Sequence, residues 1–299
     1  MTTTSRPENI LGAAFWVGGA ILSFCVIAVA GRALLGTLSS VEIMVYRSLV
    51  GFAIVCAVAI PRGFKPWQTK RLPLHLTRNM FHFYGQTMWL VGLTYLPLAQ
   101  LVSLEFSSPI WVILLSPLIL GEALTQRKLI AVALGFVGIL LISRPGVIAL
   151  NPGHAAGLTC AIGFAITTMV TKRLSSTDGL WTILFYMTLC QSVFAIVLSF
   201  IFAGEGGPAV PGLDLLPWVI LIGIGGLSAH LCLTSALQRA PASTVAPMEF
   251  MRLPAMALLG MVVYNEAFEI WVVLGAALIL AGNLYNRPRA RVIPGDTPK

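Results

Sequence analysis

Charged residues are scarce in this chain, and their scarcity excludes most soluble folds. Only 10% of the 299 residues are charged, 57% are hydrophobic, and the mean hydropathy is +0.88. Soluble domains carry about 25% charged residues. The polar side chains are too few to cover a globular surface in water, so lipid must be the solvent for much of the chain.

Clustered cysteines and enzyme signatures are also missing. The five cysteines lie singly in apolar stretches without CxxC spacing, which argues against disulfides and metal sites. The chain has no HExxH, no GxSxG, and no loop long enough for a separate catalytic domain. We therefore expect no enzyme and no cofactor. A membrane enzyme with a metal on His82 and His230, and a receptor or scaffold without transport, are the alternatives.

Ten apolar runs are each long enough to cross a membrane as a helix. A spanning helix needs about 20 apolar residues, and the runs lack the alternation that membrane strands show. Turn-forming Pro and Gly residues separate the runs. The sequence predicts an all-α integral membrane protein with ten transmembrane helices, at residues 10–34, 40–60, 73–96, 98–120, 126–144, 153–173, 180–203, 216–238, 243–264 and 269–286.

Basic residues fall mainly on one side of the predicted bundle. With the N-terminus inside, 15 of the 19 lysines and arginines lie in inside segments, and only Arg32 and Arg144 lie outside. Cytoplasmic loops are enriched in Lys and Arg, so we expect both termini in the cytoplasm. The net charge of +8 is then a topology signal. The expected partners are the lipid bilayer and a small-molecule substrate, not nucleic acid, and a monomer is compatible with the sequence.

The two halves of the chain resemble each other. Leu98–Phe106 aligns with Ala242–Phe250 at a spacing of 144 residues, so a glutamate falls at the same position in both. We predict two five-helix repeats, residues 1–148 and 149–299, in one membrane domain. Because five is odd, the halves would cross the membrane in opposite directions. Such inverted repeats are typical of secondary carriers, whose substrate site lies near the membrane midplane.

Two blocks and one short motif resemble a known family. The blocks are residues 107–142 (SSPIWVILLSPLILGEALTQRKLIAVALGFVGILLI) and 253–282 (LPAMALLGMVVYNEAFEIWVVLGAALILAG), and the motif is Val45-Tyr46-Arg47-Ser48. With the doubled five-helix unit, they resemble the drug/metabolite transporter superfamily, EamA type, over nearly the whole chain. The resemblance implies transport of small metabolites across a bacterial inner membrane. Within the superfamily, the chain looks similar to a YddG-like exporter of aromatic amino acids.

Three charged residues in the fourth and ninth spans are candidates for recognising a charged substrate. Glu249 and Arg252 are three residues apart, so a continuous helix would place them on one face. The pair is either structural or a site where a zwitterion sets its ammonium at Glu249 and its carboxylate at Arg252. Glu105 has no partner at helical spacing. Its candidate partners are Arg252, Arg47 or a substrate amine, and we assign it to gating or helix packing.

The third span carries a polar stripe. Arg78, His82, Gln86 and Trp89 follow at spacings of four, four and three, so they share one helix face, which should point away from lipid. Arg78 is expected to snorkel at the cytoplasmic end. His82, Gln86 and Trp89 are candidate substrate-binding residues, with helix packing as the alternative. His230 matches Gln86 in the second half and joins them.

Arg47, Pro109 and Pro254 complete the candidates and, with Glu105, are assigned to gating or to structure. Arg47 lies about one third into the second span, and we expect it to snorkel to the outer interface. The two prolines follow the glutamates and remove helical hydrogen bonds, so they should kink the fourth and ninth spans in a way that suits gating.

The sequence therefore predicts a secondary transporter of small metabolites that works by alternating access. With the resemblance, the expected activity is export of aromatic or hydrophobic amino acids. The alternative is an uptake or exchange carrier for another planar metabolite, of the riboflavin or S-adenosylmethionine type.

Overall fold

The computed structural model describes residues 9–121, 123–147, 149–203, 207–240 and 242–286, and every element within these ranges is an α-helix. Both chain termini and Pro241 lie outside the described residues. The helices are α1 (Ile10–Leu35), α2 (Ser40–Ala59), α3 (Leu72–Tyr95), α4 (Leu98–Glu105), α5 (Ser108–Leu120), α6 (Gln126–Ser143), α7 (Pro152–Leu174), α8 (Leu180–Ala203), α9 (Leu216–Leu237), α10 (Ala242–Glu249), α11 (Arg252–Tyr264) and α12 (Ile270–Tyr285).

Within the part of the chain that the structure describes, seven helical segments are long and apolar enough to cross a membrane. They are α1, α2, α6, α7, α8, α9 and the joined segment Leu98–Ile119, which contains α4 and α5. Helices α11 and α12 are apolar but shorter, and α3 has sufficient length but carries the polar stripe. Joining α4 to α5 and α10 to α11 gives ten helical units in the predicted order. The prediction of an all-α membrane fold is confirmed.

The fourth and ninth units are interrupted rather than merely kinked. Helix α4 ends at Glu105 and α5 begins at Ser108, and α10 ends at Glu249 with α11 beginning at Arg252. Pro109 and Pro254 explain the breaks. Each lacks the N–H that would bond the carbonyl four residues earlier, and its ring crowds that carbonyl. The proline then sits in the first turn of the following helix, where a missing N–H is tolerated.

The bundle is held by four main helix pairs and a buried centre. Helix α1 packs on α9, α3 on α7, α2 on α8, and α6 on α12. The broken helices meet as well, because α4 packs against α11. This arrangement brings the ends of α4 and the start of α11, where the charged residues lie, into the interior.

Helices α6 and α12 approach each other through glycines. A Cβ atom on Gly138 would lie 2.5 Å from the carbonyl oxygen of Gly275, and a Cβ on Gly275 would lie 2.5 Å from that of Gly138. Backbone atoms cannot move aside as a flexible side chain can. Small residues therefore set the close approach of this pair, as in other membrane helix interfaces.

We expect Gly138→Val to destabilise the protein by at least about 2 kcal/mol, because the two helices must separate to admit the side chain. Melting of purified protein in detergent, followed by size-exclusion chromatography, measures this. Gly18→Val on α1 is the matched control, since nothing lies within 4 Å of a Cβ there. Equal melting temperatures for the two variants would contradict the role of Gly138.

Candidate functional site

An ion pair between the two broken helices forms the centre of the candidate site. Glu105, the last residue of α4, accepts a hydrogen bond from Nη2 of Arg252, the first residue of α11, with 2.7 Å between Oε1 and Nη2. The indole Nε1 of Trp89 on α3 donates to the other carboxylate oxygen at 3.0 Å. The Arg252 and Glu105 side chains are only 8% and 12% exposed. Three helices are therefore joined at one nearly buried carboxylate.

Aromatic rings surround the arginine of this pair. The guanidinium carbon of Arg252 lies 4.2 Å from the ring centroid of Phe24 and 4.7 Å from that of Phe106. Phe106 and Phe250, which occupy the two helix breaks, stack with centroids 4.4 Å apart and planes inclined by 17°. Cation–π contacts stabilise a desolvated arginine. The result is a charged centre inside a frame of flat rings.

The predicted pairing of Glu249 with Arg252 is wrong. A continuous helix would have placed both on one face, but the helix ends at Glu249 and a new one begins at Arg252. Arg252 instead turns to Glu105, one of the partners considered from the sequence. Within the described residues, Glu249 makes no hydrogen bond and no ion pair, although the charges of Arg252 and Glu105 are near enough to act on it. Its carboxylate is thus half-buried and unpartnered.

Arg47 forms a second polar cluster with the third helix. Its Nη1 donates to the side-chain oxygen of Gln86 on α3, and it also contacts the Met44 sulfur at 3.6 Å. Arg47 is only 8% exposed. The expectation that Arg47 snorkels to the outer interface is therefore wrong, because an inward partner one helix away holds the guanidinium in the bundle.

Histidine and glutamine side chains extend this cluster. The His82 Nδ1 lies 2.5 Å from Nε2 of Gln191 on α8, and the His82 Nε2 lies 3.3 Å from Nε2 of Gln86. The ring of His230 on α9 lies beside that of His82, with centroids 5.3 Å apart. The predicted inward direction of the α3 stripe is confirmed, since His82 and Trp89 are buried. Polar side chains of the stripe bond to neighbouring helices, as Gln86 does to Arg47 and His82 does to Gln191.

Arg78 also differs from expectation. It is 4% exposed and donates from Nε to the Thr171 hydroxyl at 3.0 Å, and from Nη1 to Asn79 at 2.7 Å. The predicted snorkelling does not occur, because α7 packs across this turn of α3 and supplies Thr171 as a partner.

Pro109 and Pro254 lie on the exposed side of their helices, away from the charges. They act on the site only through the backbone, by setting where α4 and α10 end. Their predicted part in gating stays a prediction.

Ion pairs also join helix ends away from the centre. Arg32 at the end of α1 lies 2.6 Å from Glu266, whose other oxygen accepts the backbone N–H of Leu98 at 2.8 Å. Arg144 pairs with Glu269. These contacts attach the loop between α11 and α12 to α1, α4 and α6. Two ion pairs and a hydrogen bond therefore hold these helix ends together. Glu122, the counterpart of Glu266 in the first half, lies outside the described residues.

Sequence reasoning missed Gln191, Phe24 and the ring pair Phe106–Phe250. Gln191 is a lone amide in an apolar span, which is a usable signal for an inward face. Each phenylalanine of the ring pair directly follows a repeated glutamate, so the repeat itself marked them. Phe24 carries no such signal, because it is one aromatic residue among many apolar ones on α1.

Comparisons with known proteins support a transporter. The EamA-like transporter family matches residues 11–144 and again residues 151–286. An S-adenosylmethionine uptake transporter of Rickettsia bellii is 24% identical over 84% of this chain and 85% of its own length. A riboflavin transporter of Brucella anthropi is 30% identical over 82% of this chain and 87% of its own. One crystal structure superposes with a TM-score of 0.63 at 19% identity, covering 91% of this chain and 95% of its own, which shows a shared fold.

The geometry predicts unequal roles in stability for the two repeated glutamates. Glu105→Ala should cost about 3–5 kcal/mol, because it leaves Arg252 buried without its counter-charge. Glu249→Ala should cost less than about 1 kcal/mol, since no hydrogen bond or ion pair among the described residues is lost. Melting temperatures of the purified variants test this. Arg252→Ala combined with Glu105→Ala should lose less than the sum of the single changes, and strictly additive losses would contradict the ion pair.

Proposed function

Because the chain belongs to the EamA-like transporter family, we propose that it is a secondary transporter that moves a small, planar, zwitterionic metabolite by alternating access. Family membership and the names of its relatives indicate a membrane transporter rather than an enzyme. The substrate class and the mechanism are the proposal.

The observation that carries the proposal is the charged, ring-framed centre where two broken helices meet. Carriers commonly bind substrate at interrupted helices near the midplane, where backbone groups and helix ends are available. Here Glu105 and Arg252 supply opposite charges, Glu249 supplies an unpartnered carboxylate, and Trp89, Phe106 and Phe250 supply flat surfaces. A zwitterion can replace each half of the ion pair: its carboxylate takes Arg252, and its ammonium takes Glu105 or Glu249.

Two substrates fit this chemistry equally at the charged end. S-adenosylmethionine and the aromatic amino acids share an ammonium, a carboxylate and a planar ring. The relatives named as S-adenosylmethionine uptake transporters favour the first. Export of aromatic amino acids remains the second candidate.

A flat but uncharged substrate is a further candidate. The relative named as a riboflavin transporter has the higher sequence identity, 30% against 24%. Riboflavin would use the rings but would leave the Glu105–Arg252 pair intact. The effect of changing the charged residues therefore separates the two classes.

The inverted repeat is part of the proposal. It is supported by the family matching twice in succession and by the breaks at Glu105 and Glu249, which lie at matching positions of the two halves. The helix pairs α1–α9 and α3–α7 would exchange under such a symmetry. Cytoplasmic termini follow from the charge distribution and an inner membrane from the family resemblance, and both stay predictions.

Counterflow of labelled substrate in reconstituted vesicles tests the function without assuming a direction. We expect S-adenosylmethionine or tryptophan to exchange, and Glu249→Gln to reduce exchange at least tenfold while leaving the melting temperature near that of wild type. The reason is that Glu249 makes no structural contact among the described residues, so its loss removes only an interaction with substrate. Glu249→Asp, which keeps the charge, is the matched control and should retain more activity.

Exchange of riboflavin alone, unchanged in Glu249→Gln, would reject the zwitterion and support the uncharged planar class. No exchange of any of these compounds by well-folded protein would reject the planar substrate class altogether.

A further inference from the structure

We propose that a small monovalent inorganic anion, such as chloride, binds in the cavity beside Arg47, between α2, α8 and α9. This site is separate from the Glu105–Arg252 centre, and the proposal does not depend on which metabolite is transported.

A small cavity lies beside Arg47, and the space next to the glycines in its walls is already filled by Val50, Thr188 and Arg47 itself. Its walls include Gly51 on α2 together with Gly223 and Gly226 on α9, and the room for the centre of a water-sized molecule is about 10 Å³. The guanidinium of Arg47 lies over Gly226, where an added Cβ would come within 2.8 Å of Nε. This space is at the lower limit for a single water molecule, so a halide, which is larger than water, enters only if a flexible wall side chain such as Met187 or Leu227 shifts. It is far too small for a metabolite.

Two buried donors that line this cavity have no partner. Arg47 is 8% exposed and its Nε makes no hydrogen bond, and Ser48 is 3% exposed with an unbonded hydroxyl. Buried polar atoms are normally bonded, and an exception needs an explanation, of which a bound water or ion is one. Both donors line the same small cavity, so one occupant can reach both.

The charge of Arg47 has no counter-charge in the described protein. No carboxylate lies within ion-pair distance of it, and its hydrogen bonds go to Gln86 and the Met44 sulfur, both uncharged. Helices α3, α8 and α9 contain no Asp or Glu, and the single acid of α2, Glu42, caps its own helix. Arg78, the other buried cation nearby, adds positive charge to the same region.

The depth of Arg47 makes an uncompensated charge costly. Arg47 lies eight residues beyond the N-cap Ser39, or about 12 Å along the helix, in a bilayer whose apolar core is about 30 Å thick. A charge at such depth is costly and normally pairs. Water in the cavity would bond the donors but leave the charge unbalanced. A halide meets both needs: it accepts hydrogen bonds from Nε of Arg47 and from the Ser48 hydroxyl, and its negative charge balances that of Arg47.

A chloride titration of the purified protein tests this. Melting temperature is measured while chloride replaces gluconate at constant ionic strength and constant cation, and binding of radioactive chloride is measured by equilibrium dialysis. We expect saturable stabilisation and about one chloride per chain. Ser48→Ala should weaken chloride affinity about tenfold, because a hydrogen bond to a charged acceptor is lost. Arg47→Gln should abolish the chloride dependence.

Ser199→Ala is the matched control, because it also removes a buried hydroxyl but one that already donates to the Ile196 carbonyl. It should bind chloride as wild type does. Ser48→Ala keeps the test decisive if Arg47→Gln does not fold. Absence of saturable chloride binding by the wild type, or equal affinity in Ser48→Ala and Ser199→Ala, would overturn the site.

Discussion

The ion pair between Glu105 and Arg252 is the interaction on which the centre of the bundle depends. Either charge alone would be expensive in a membrane, and removing one partner leaves the other buried and uncompensated. The pair also has a mechanical consequence. Glu105 ends α4 and Arg252 begins α11, so their contact fixes how the two broken helices meet. Trp89 ties the same carboxylate to α3.

The buried charged residues differ in whether they have a partner of opposite charge, and this difference indicates where a charged ligand could bind. Glu105 and Arg252 neutralise each other, Glu249 has no partner among the described residues, and Arg47 has only uncharged ones. A charge already paired mainly holds the structure together. A charge without a counter-charge gains most from a ligand of opposite sign. Among the described residues, the carboxylate without a partner is Glu249, near the broken helices, and the cation without a counter-charge is Arg47, beside α9. The two regions therefore suit ligands of opposite charge.

Most of the fold could be predicted because its signals are local. Apolar run length and turn residues predicted the ten helical units, and spacings of four and three residues correctly predicted that His82 and Trp89 point inward. The wrong predictions depended on a helix break or on a contact with a residue on another helix. The pairing of Glu249 with Arg252 assumed an unbroken helix, although Pro254 was visible. The direction of Arg47 depended on Gln86, which is 39 residues away on another helix. No periodicity within one helix reports such a neighbour.

Helix α3 links the two polar regions, which bears on how a carrier of this kind can avoid leaking. Gln86 and Trp89 are one turn apart on one face, and they hold Arg47 and Glu105 respectively. A movement of α3 away from both α2 and α4 would break both contacts together. In the proposed alternating-access mechanism, an empty site has nothing to offset the separation of Glu105 from Arg252 and Trp89, so it would favour the closed arrangement. A zwitterion supplies both charges needed to replace that pair, whereas a neutral ring supplies neither. Selectivity for charge and control of opening then follow from the same ion pair.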